Sequence, residues 1–353
     1  MKGSDKMAPA HSVAGRRKGF ALPAVLTVAG VVTLIFLVAI TALASLTAEA
    51  TSARARIRFL QNALTAEANL SLLASTEPIR SSAIAVGAPR ILDVFSGAEG
   101  DASSLAPAVI QLDGHPYSLD LSGQVVMKVQ DQAGLINIAA LTEEQHTRLM
   151  QSIGVQNSDI PLLRMRYFDY IDADDLRRFD GAEQRDYLDT APANRPLKTV
   201  SEWLSILGAR QSVDAAKWRR LRSSLVVDHT ILSPNINTAT KETLQILFGA
   251  SDEQSVSAIK ARSDSAFTSF SDFLAASGVN YIPDDERSYV FPSGRMIFTI
   301  QDTRSAWTYR GRLILTPGGL EQPFWIDQTE MTEAPRRAVA DTSNATRFPY
   351  APR

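Results

Sequence analysis

From Phe20 to Ala48 the chain runs for 29 residues without a charge. No other feature restricts its folding so strongly. As an α-helix this segment is about 43 Å long at 1.5 Å per residue, which exceeds the roughly 30 Å hydrocarbon core of a bilayer. A secretory signal needs only about 7–15 apolar residues, although Ala42 and Ala44 do offer an Ala-x-Ala cleavage pattern. The span is read as an anchor that stays with the chain, with removal near residue 44 as the lesser alternative. Arg16, Arg17 and Lys18 precede it, and the positive-inside rule places that flank in the cytoplasm. The bulk of the chain is then expected in the periplasm. Beyond the span, Ala48 to Ser75 contains no Gly or Pro, and Ile57, Leu60 and Leu64 recur at helical spacing. One unbroken helix from Leu22 to Ser75 is expected, with Pro23 in the first turn, where its missing N–H costs little.

The 353 residues allow two domains, or one domain with a large insertion. The absence of cysteine excludes disulfides, thiolate nucleophiles and cysteine zinc sites. The four histidines, His11, His115, His146 and His229, are scattered, and no catalytic residue is assigned. A formal net charge of -2 gives no general case for nucleic-acid binding. In "PYSLDLSGQVVMKVQD", Tyr117, Leu119 and Leu121, then Val125, Met127 and Val129, alternate around Ser122-Gly123. That pattern predicts a hairpin with one buried face. "GRMIFTIQD", "WTYRGRLILT" and "FWIDQ" alternate similarly near the C-terminus, while the region between looks mostly helical. The expected class is α+β: a long N-terminal helix and a small antiparallel sheet, interrupted by a large, mainly α-helical insertion.

A basic leader ending in Gly19, then Phe20 and a long apolar helix, resembles the prepilin signal of type IV pilins and type II secretion pseudopilins. The resemblance implies cleavage after Gly19 by a prepilin peptidase and N-methylation of Phe20. Most pilins carry a glutamate four residues beyond that new N-terminus, where this chain has Ala24. In a filament the glutamate pairs with the amine of the subunit above, so its loss fits a subunit with nothing above it. Four further stretches follow in order: "DQAGLINIAAL", "YFDYIDADDLRRFDGAEQRDYL", "ANRPLKTVSEWLSILG" and "NINTATKETLQILFGA". Together with the leader they resemble the protein K family of type II secretion, over the chain up to Phe298.

The resemblance implies a pilin-like fold whose insertion holds SAM-like or helix-hairpin-helix-like units. It implies a minor pseudopilin that joins pseudopilins I and J at the pseudopilus tip, starts its assembly, and meets the inner-membrane assembly platform and lipid. The corresponding layout is a leader over 1–19, a membrane-spanning helix over 20–48 and its periplasmic continuation over 49–76. A first pilin-like part covers 77–130, and the insertion covers 131–284, divided at 230 and 231. C-terminal strands occupy 285–330, and a polar tail with three prolines, 331–353, is expected to be disordered.

Asp172 to Asp189 holds seven carboxylates in 18 residues, partly offset by Arg177, Arg178 and Arg185. One reading is a solvated loop with local ion pairs worth about 0–1 kcal/mol each. The other is a calcium site, since calcium takes 6–8 oxygen ligands. Counting from Asp172, Asp174, Asp180 and Glu183 fall at EF-hand ligand positions, but Arg177 stands where that loop needs glycine. The stretch is an oxygen-rich loop rather than an EF-hand. The family resemblance implies calcium in the helical domain, and Asp172, Asp174, Glu183 and Asp186 are the candidate ligands. A further reading is a minor pilin of a type IV pilus or a DNA-uptake pseudopilus, because residues 235–279 resemble a DNA-binding helix-hairpin-helix unit. Asp252 and Glu253 occupy the turn that would receive a phosphate, so no nucleic-acid partner is expected. Leu244, Leu247, Ile259, Phe267, Phe270 and Phe273 are expected to form a packing core there.

Overall fold

The computed structural model describes residues 21–88, 108–188, 191–283, 289–304, 307–319, 321–333 and 343–350. The Gly19–Phe20 processing position and Asp189 lie outside the described residues. The chain divides into two compact units, Met1–Arg58 and Phe59–Arg353.

Helix α1 covers Ala21–Thr76 without interruption. In its first part an 18-residue window has a mean hydropathy of 2.6 and is wholly unburied. It is long and apolar enough to cross a membrane. The hydroxyls of Thr27, Thr33, Thr41 and Thr47 each donate to the carbonyl four residues earlier. These polar side chains are thereby satisfied by their own helix, as an apolar environment requires.

In the second unit, strands β1 (Ala83–Val86), β2 (Ala108–Gln111), β3 (Asp113–Asp120) and β4 (Gln124–Asp131) come first. A mainly helical segment follows: β5 (Ile136–Asn137), α2 (Glu143–Ser152), α3 (Ile160–Ile171), α4 (Ala209–Ser212), α5 (Ala215–Leu221), β6 (Leu225–Val226), α6 (Lys241–Phe248), α7 (Asp252–Asp264) and α8 (Phe270–Ser277). The chain then returns to β7 (Arg295–Asp302), β8 (Trp307–Leu315), β9 (Phe324–Glu333) and β10 (Thr346–Arg347).

The main sheet has the order β10-β3-β4-β7-β8-β9. The β3–β4 hairpin forms as its alternation predicts: Tyr117, Leu119, Val125, Met127 and Val129 are buried. They face Phe59, Ala63, Ala66, Leu70 and Leu73 of α1 in one core, joined by Met296, Phe298 and Ile300 of β7. The helix face in that core is not the one marked by Ile57, Leu60 and Leu64, which are 58%, 36% and 46% exposed. Ala63 and Ala66 let the sheet approach the helix closely, so small residues rather than leucines carry this contact.

The tail expectation fails for part of 331–353. Residues 331–333 complete β9, and β10 pairs in parallel with β3 at Thr346–Tyr117 and Arg347–Ser118. Phe348 is 1% exposed and joins the sheet core, edge-on to Tyr117. Burying that ring contributes about 1.5–3 kcal/mol, enough to hold a polar segment on the sheet.

The helical segment has its own core. Trp203 and Trp218 stack there with centroids 5.6 Å apart. Leu244, Leu247, Phe267 and Phe273 are buried in it, with Ile259 and Phe270 packed against it. Capping boxes start α2 (Thr142 with Gln145), α7 (Ser251 with Gln254) and α8 (Ser269 with Asp272). Each satisfies two backbone donors that the first turn leaves open. Between α6 and α7, Gly249 adopts φ 69°, and Lys241 pairs with Asp252 at 2.5 Å.

Candidate functional site

Helix α3 runs into the acidic stretch. Tyr167 and Tyr170 anchor it in the helical core, and Asp169 between them is 0% exposed. Arg178 folds back over the helix end. Its Nη1 donates to Asp169 Oδ1 at 2.7 Å and to Asp172 Oδ2. Its backbone N–H donates to Asp169 Oδ2 at 3.2 Å. The hydrogen bonds to Asp169 and Asp172 hold the guanidinium firmly in its charged form. The turn can close this tightly only because residue 181 is glycine: a Cβ there would lie 1.8 Å from Asp169 Oδ2.

Glu183 lies just beyond and is 3% exposed. Both its carboxylate oxygens are buried without a hydrogen-bond partner, as is Asp172 Oδ1. Burial pushes the Glu183 carboxyl up, and the charges of Asp169, Asp172, Asp175 and Asp174 add to this. A buried carboxylate without a donor is costly, and oxygens of this kind can bind a cation.

The structure treats the four expected ligands differently. Asp172 and Glu183 both present free oxygens. Asp174 Oδ1 instead accepts the Leu176 N–H at 2.8 Å. Asp186 Oδ2 accepts the Glu183 N–H at 2.9 Å, and its Oδ1 lies 3.5 Å from Arg177. Among the described residues, no group of three or more acidic or histidine side chains is arranged to hold a metal. Asp169, in the last turn of α3, stands three residues before Asp172 and so falls outside a count begun at Asp172. The donor set is oxygen only, which fits a hard cation such as calcium.

A second polar centre lies where the helical segment leaves and rejoins the sheet. Asp131, the last residue of β4, is fully buried. Its Oδ1 accepts the Ala133 N–H at 3.2 Å, the Ser293 N–H at 3.0 Å and the Ser293 hydroxyl at 2.7 Å. Its Oδ2 accepts Asn235 Nδ2 at 3.2 Å and the Thr238 hydroxyl at 2.9 Å. One carboxylate thus ties together the exit from β4, the "NINTAT" turn and the approach to β7. Burial pushes its pKa up, and these donors pull it back.

The family model for type II secretion system protein K matches residues 126–228. That segment is similar to the type II secretion protein K family. The matched segment takes in most of β4, helices α2 to α5, Asp131 and the acidic stretch. The type II secretion system protein K of Pseudomonas aeruginosa is 31% identical over 175 residues, which are 45% of this chain and 50% of that protein. The chain thus spans about half the length of the curated relative it matches. The crystal structure of the GspK-GspI-GspJ complex from enterotoxigenic Escherichia coli contains a chain with the same fold. Its TM-score is 0.53 at 17% identity, over 81% of this chain and all of that one.

Within the matched segment, the "DQAGLINIAAL" stretch serves as structural joinery. Asn137 Nδ2 donates to the carbonyls of Asp228 and Ile231, while its Oδ1 accepts the N–H of Asp228 and Ala139. A single side chain thereby replaces missing backbone partners for two loops. Asp228 in turn faces Arg295 at 3.2 Å and Arg312 at 3.6 Å.

Proposed function

We propose that this chain is a minor pseudopilin of type II secretion, anchored by α1 in the bacterial inner membrane with its bulk in the periplasm. After prepilin peptidase removes residues 1–19 and the amine of Phe20 is methylated, the apolar helix passes from lipid into a filament. Ala29, Gly30, Ala39, Ala42 and Ala44 on that helix permit close approach of neighbouring helices. The observation that carries the reading is the union, in one chain, of a 56-residue helix with an apolar first part and a protein K-like segment on a sheet. The missing glutamate at Ala24 and the large insertion favour the tip, where the subunit starts the pseudopilus together with pseudopilins I and J for protein export across the outer membrane. The Escherichia coli structure, a complex of GspK with GspI and GspJ, supports those partners. The test is co-expression with a prepilin peptidase and the two small pseudopilins of the same system. The expected result is a mature N-terminus at methylated Phe20 and co-elution of the three chains. Cleavage near Ala44, or no co-elution of the correctly processed chain, would overturn it.

We further infer that the acidic loop takes calcium. The open oxygens of Glu183 and Asp172 support this, and Asp174 and Asp186 are the further donors within the same loop. Bound there, the ion would neutralise the buried carboxylate and stiffen the loop. Calcium titration of the full chain in detergent should raise its melting temperature. An unchanged melting curve in calcium and in chelator would refute this inference.

A further inference from the structure

The outward face of the sheet carries a basic cleft that none of the preceding roles uses. Lys128, Thr299, Arg310 and Glu330 form one rung across four strands, with Lys128 opposite Thr299, Thr299 opposite Arg310 and Arg310 opposite Glu330. Arg219 of α5 and Arg222 just after it stand over this rung and close a cleft of about 630 Å³. A second chamber of about 390 Å³ joins it by sharing Arg222, Arg310 and Glu330. The larger chamber is lined by four cations, Lys128, Arg219, Arg222 and Arg310, against one anion, Glu330, so its balance is 4 - 1 = +3. The whole chain, by contrast, has a formal net charge of -2.

The neighbouring rung shows what neutralisation looks like in this fold. Arg312 there makes a two-pronged pair with Asp327 and also faces Asp228. Among the described residues, no carboxylate lies within ion-pair distance of Lys128, Arg219, Arg222 or Arg310. Burial pushes the Arg310 pKa down; Glu330 opposes this, and the nearby Arg222 charge adds to it. Two guanidiniums held near each other in a partly desolvated cleft repel unless an anion lies between them.

We propose that this cleft docks an extended acidic peptide segment of a partner protein, with its carboxylates bridging Arg222 and Arg310. Lys128 and Arg310 stand two strands apart on the rung, a separation that suits a linear anion. Thr299, Thr308 and Ser223 offer hydroxyls to a peptide backbone. Among the described residues, no aromatic side chain lines either chamber, and single-stranded nucleic acid relies on such rings for stacking. Arginine pairs carboxylates with two parallel hydrogen bonds, so the two guanidiniums set the register of the bound segment. The proposal does not depend on the assembly reading.

The test uses the full chain in detergent micelles and a fluorescein-labelled peptide of alternating Glu and Gly, read by fluorescence anisotropy. The expected result is saturable, salt-sensitive binding that weakens at least tenfold in the Arg222→Glu/Arg310→Glu double variant. Binding should be unchanged in Arg210→Glu, an exposed site outside the cleft. If the double variant does not fold, Lys128→Gln/Arg222→Gln, at two exposed positions, replaces it with the same expected loss. Equal binding by variant and wild type refutes the proposal. So does tighter binding of an oligothymidylate of matched charge, which would make the cleft a nucleic-acid site instead.

Discussion

Replacing Asp131 with alanine removes the acceptor for five donors at the base of the insertion. The loss is smaller than five bonds. The Ser293 hydroxyl retains the Arg295 carbonyl at 3.1 Å, and Asn235 Nδ2 retains the Ser81 carbonyl at 3.0 Å. The Thr238 hydroxyl can turn toward the Asn235 carbonyl at 3.4 Å. That leaves the N–H groups of Ala133 and Ser293 without partners. At about 1–3 kcal/mol for each orphaned buried donor, the cost is about 2–6 kcal/mol. Relief from no longer burying a carboxylate reduces this toward about 3 kcal/mol. Asp131→Asn should be much milder, under about 1.5 kcal/mol, because one oxygen can still accept both N–H groups. Urea unfolding of the full chain in detergent, followed by tryptophan fluorescence, measures both. Hydrogen exchange at the Ala133 and Ser293 amides locates the damage. Alanine within 1 kcal/mol of wild type (about fivefold in the equilibrium), or asparagine as harmful as alanine, would show that Asp131 is not the clasp.

Three other outcomes follow from individual groups. His146 is 3% exposed, edge-on to Tyr167 at 4.6 Å, and burial with the nearby Arg164 charge lowers its pKa to about 4. The unfolded chain therefore binds a proton that the folded one refuses, so stability falls by up to about 3 kcal/mol as pH drops from 6.5 toward 4. His146→Phe should flatten that slope in pH-dependent melts, and an unchanged slope would count against the assignment. Gly181→Ala forces a Cβ into Asp169 Oδ2 and should cost about 1–3 kcal/mol with faster hydrogen exchange at residues 178–183; wild-type exchange there would refute the packing argument. Glu183→Gln should equal or exceed wild type in melting temperature with chelator present. In calcium it should lose the ion's contribution, about 2.7 kcal/mol at a hundredfold excess over Kd; an equal calcium-induced shift in both proteins would remove Glu183 from the ligand set.

The parts of the fold that were legible in the sequence are those set by local periodicity. Helix α1 and the β3–β4 hairpin bury or extend as their patterns require, because both are decided within a few turns or residues. The packed face of α1 was not legible. Ile57, Leu60 and Leu64 are the more conspicuous apolar residues, yet Ala63 and Ala66 carry the contact, since closeness rather than side-chain size governs it. β10 escaped for a different reason. Thr346 and Arg347 have no strand pattern of their own and gain one only by pairing with β3, where the hydrogen-bond partners of Thr346 lie 228 and 231 positions away. In the acidic loop, residue type and spacing do not show which carboxylates are already engaged by neighbouring groups. Asp174 and Asp186 are occupied by loop N–H groups, while buried Asp169 takes the arginine.

The position of the insertion follows from the sheet. β4 and β7 are antiparallel neighbours, with Asp131 opposite Met296 at the end of their ladder. The insertion therefore leaves and returns at adjacent points, and its size does not disturb the register of any strand. Its core and the sheet core are separate clusters, so each can change composition without voids opening in the other. What must be kept is the closure at the ladder's end. Gly134 is part of it, since a Cβ there would stand 2.2 Å from the Thr238 carbonyl oxygen, and Gln130 Nε2 donates to that same carbonyl at 2.9 Å. "DQAG" and "NINTAT" thus serve packing rather than chemistry: they hold the junction that joins the insertion to a sheet packed on α1.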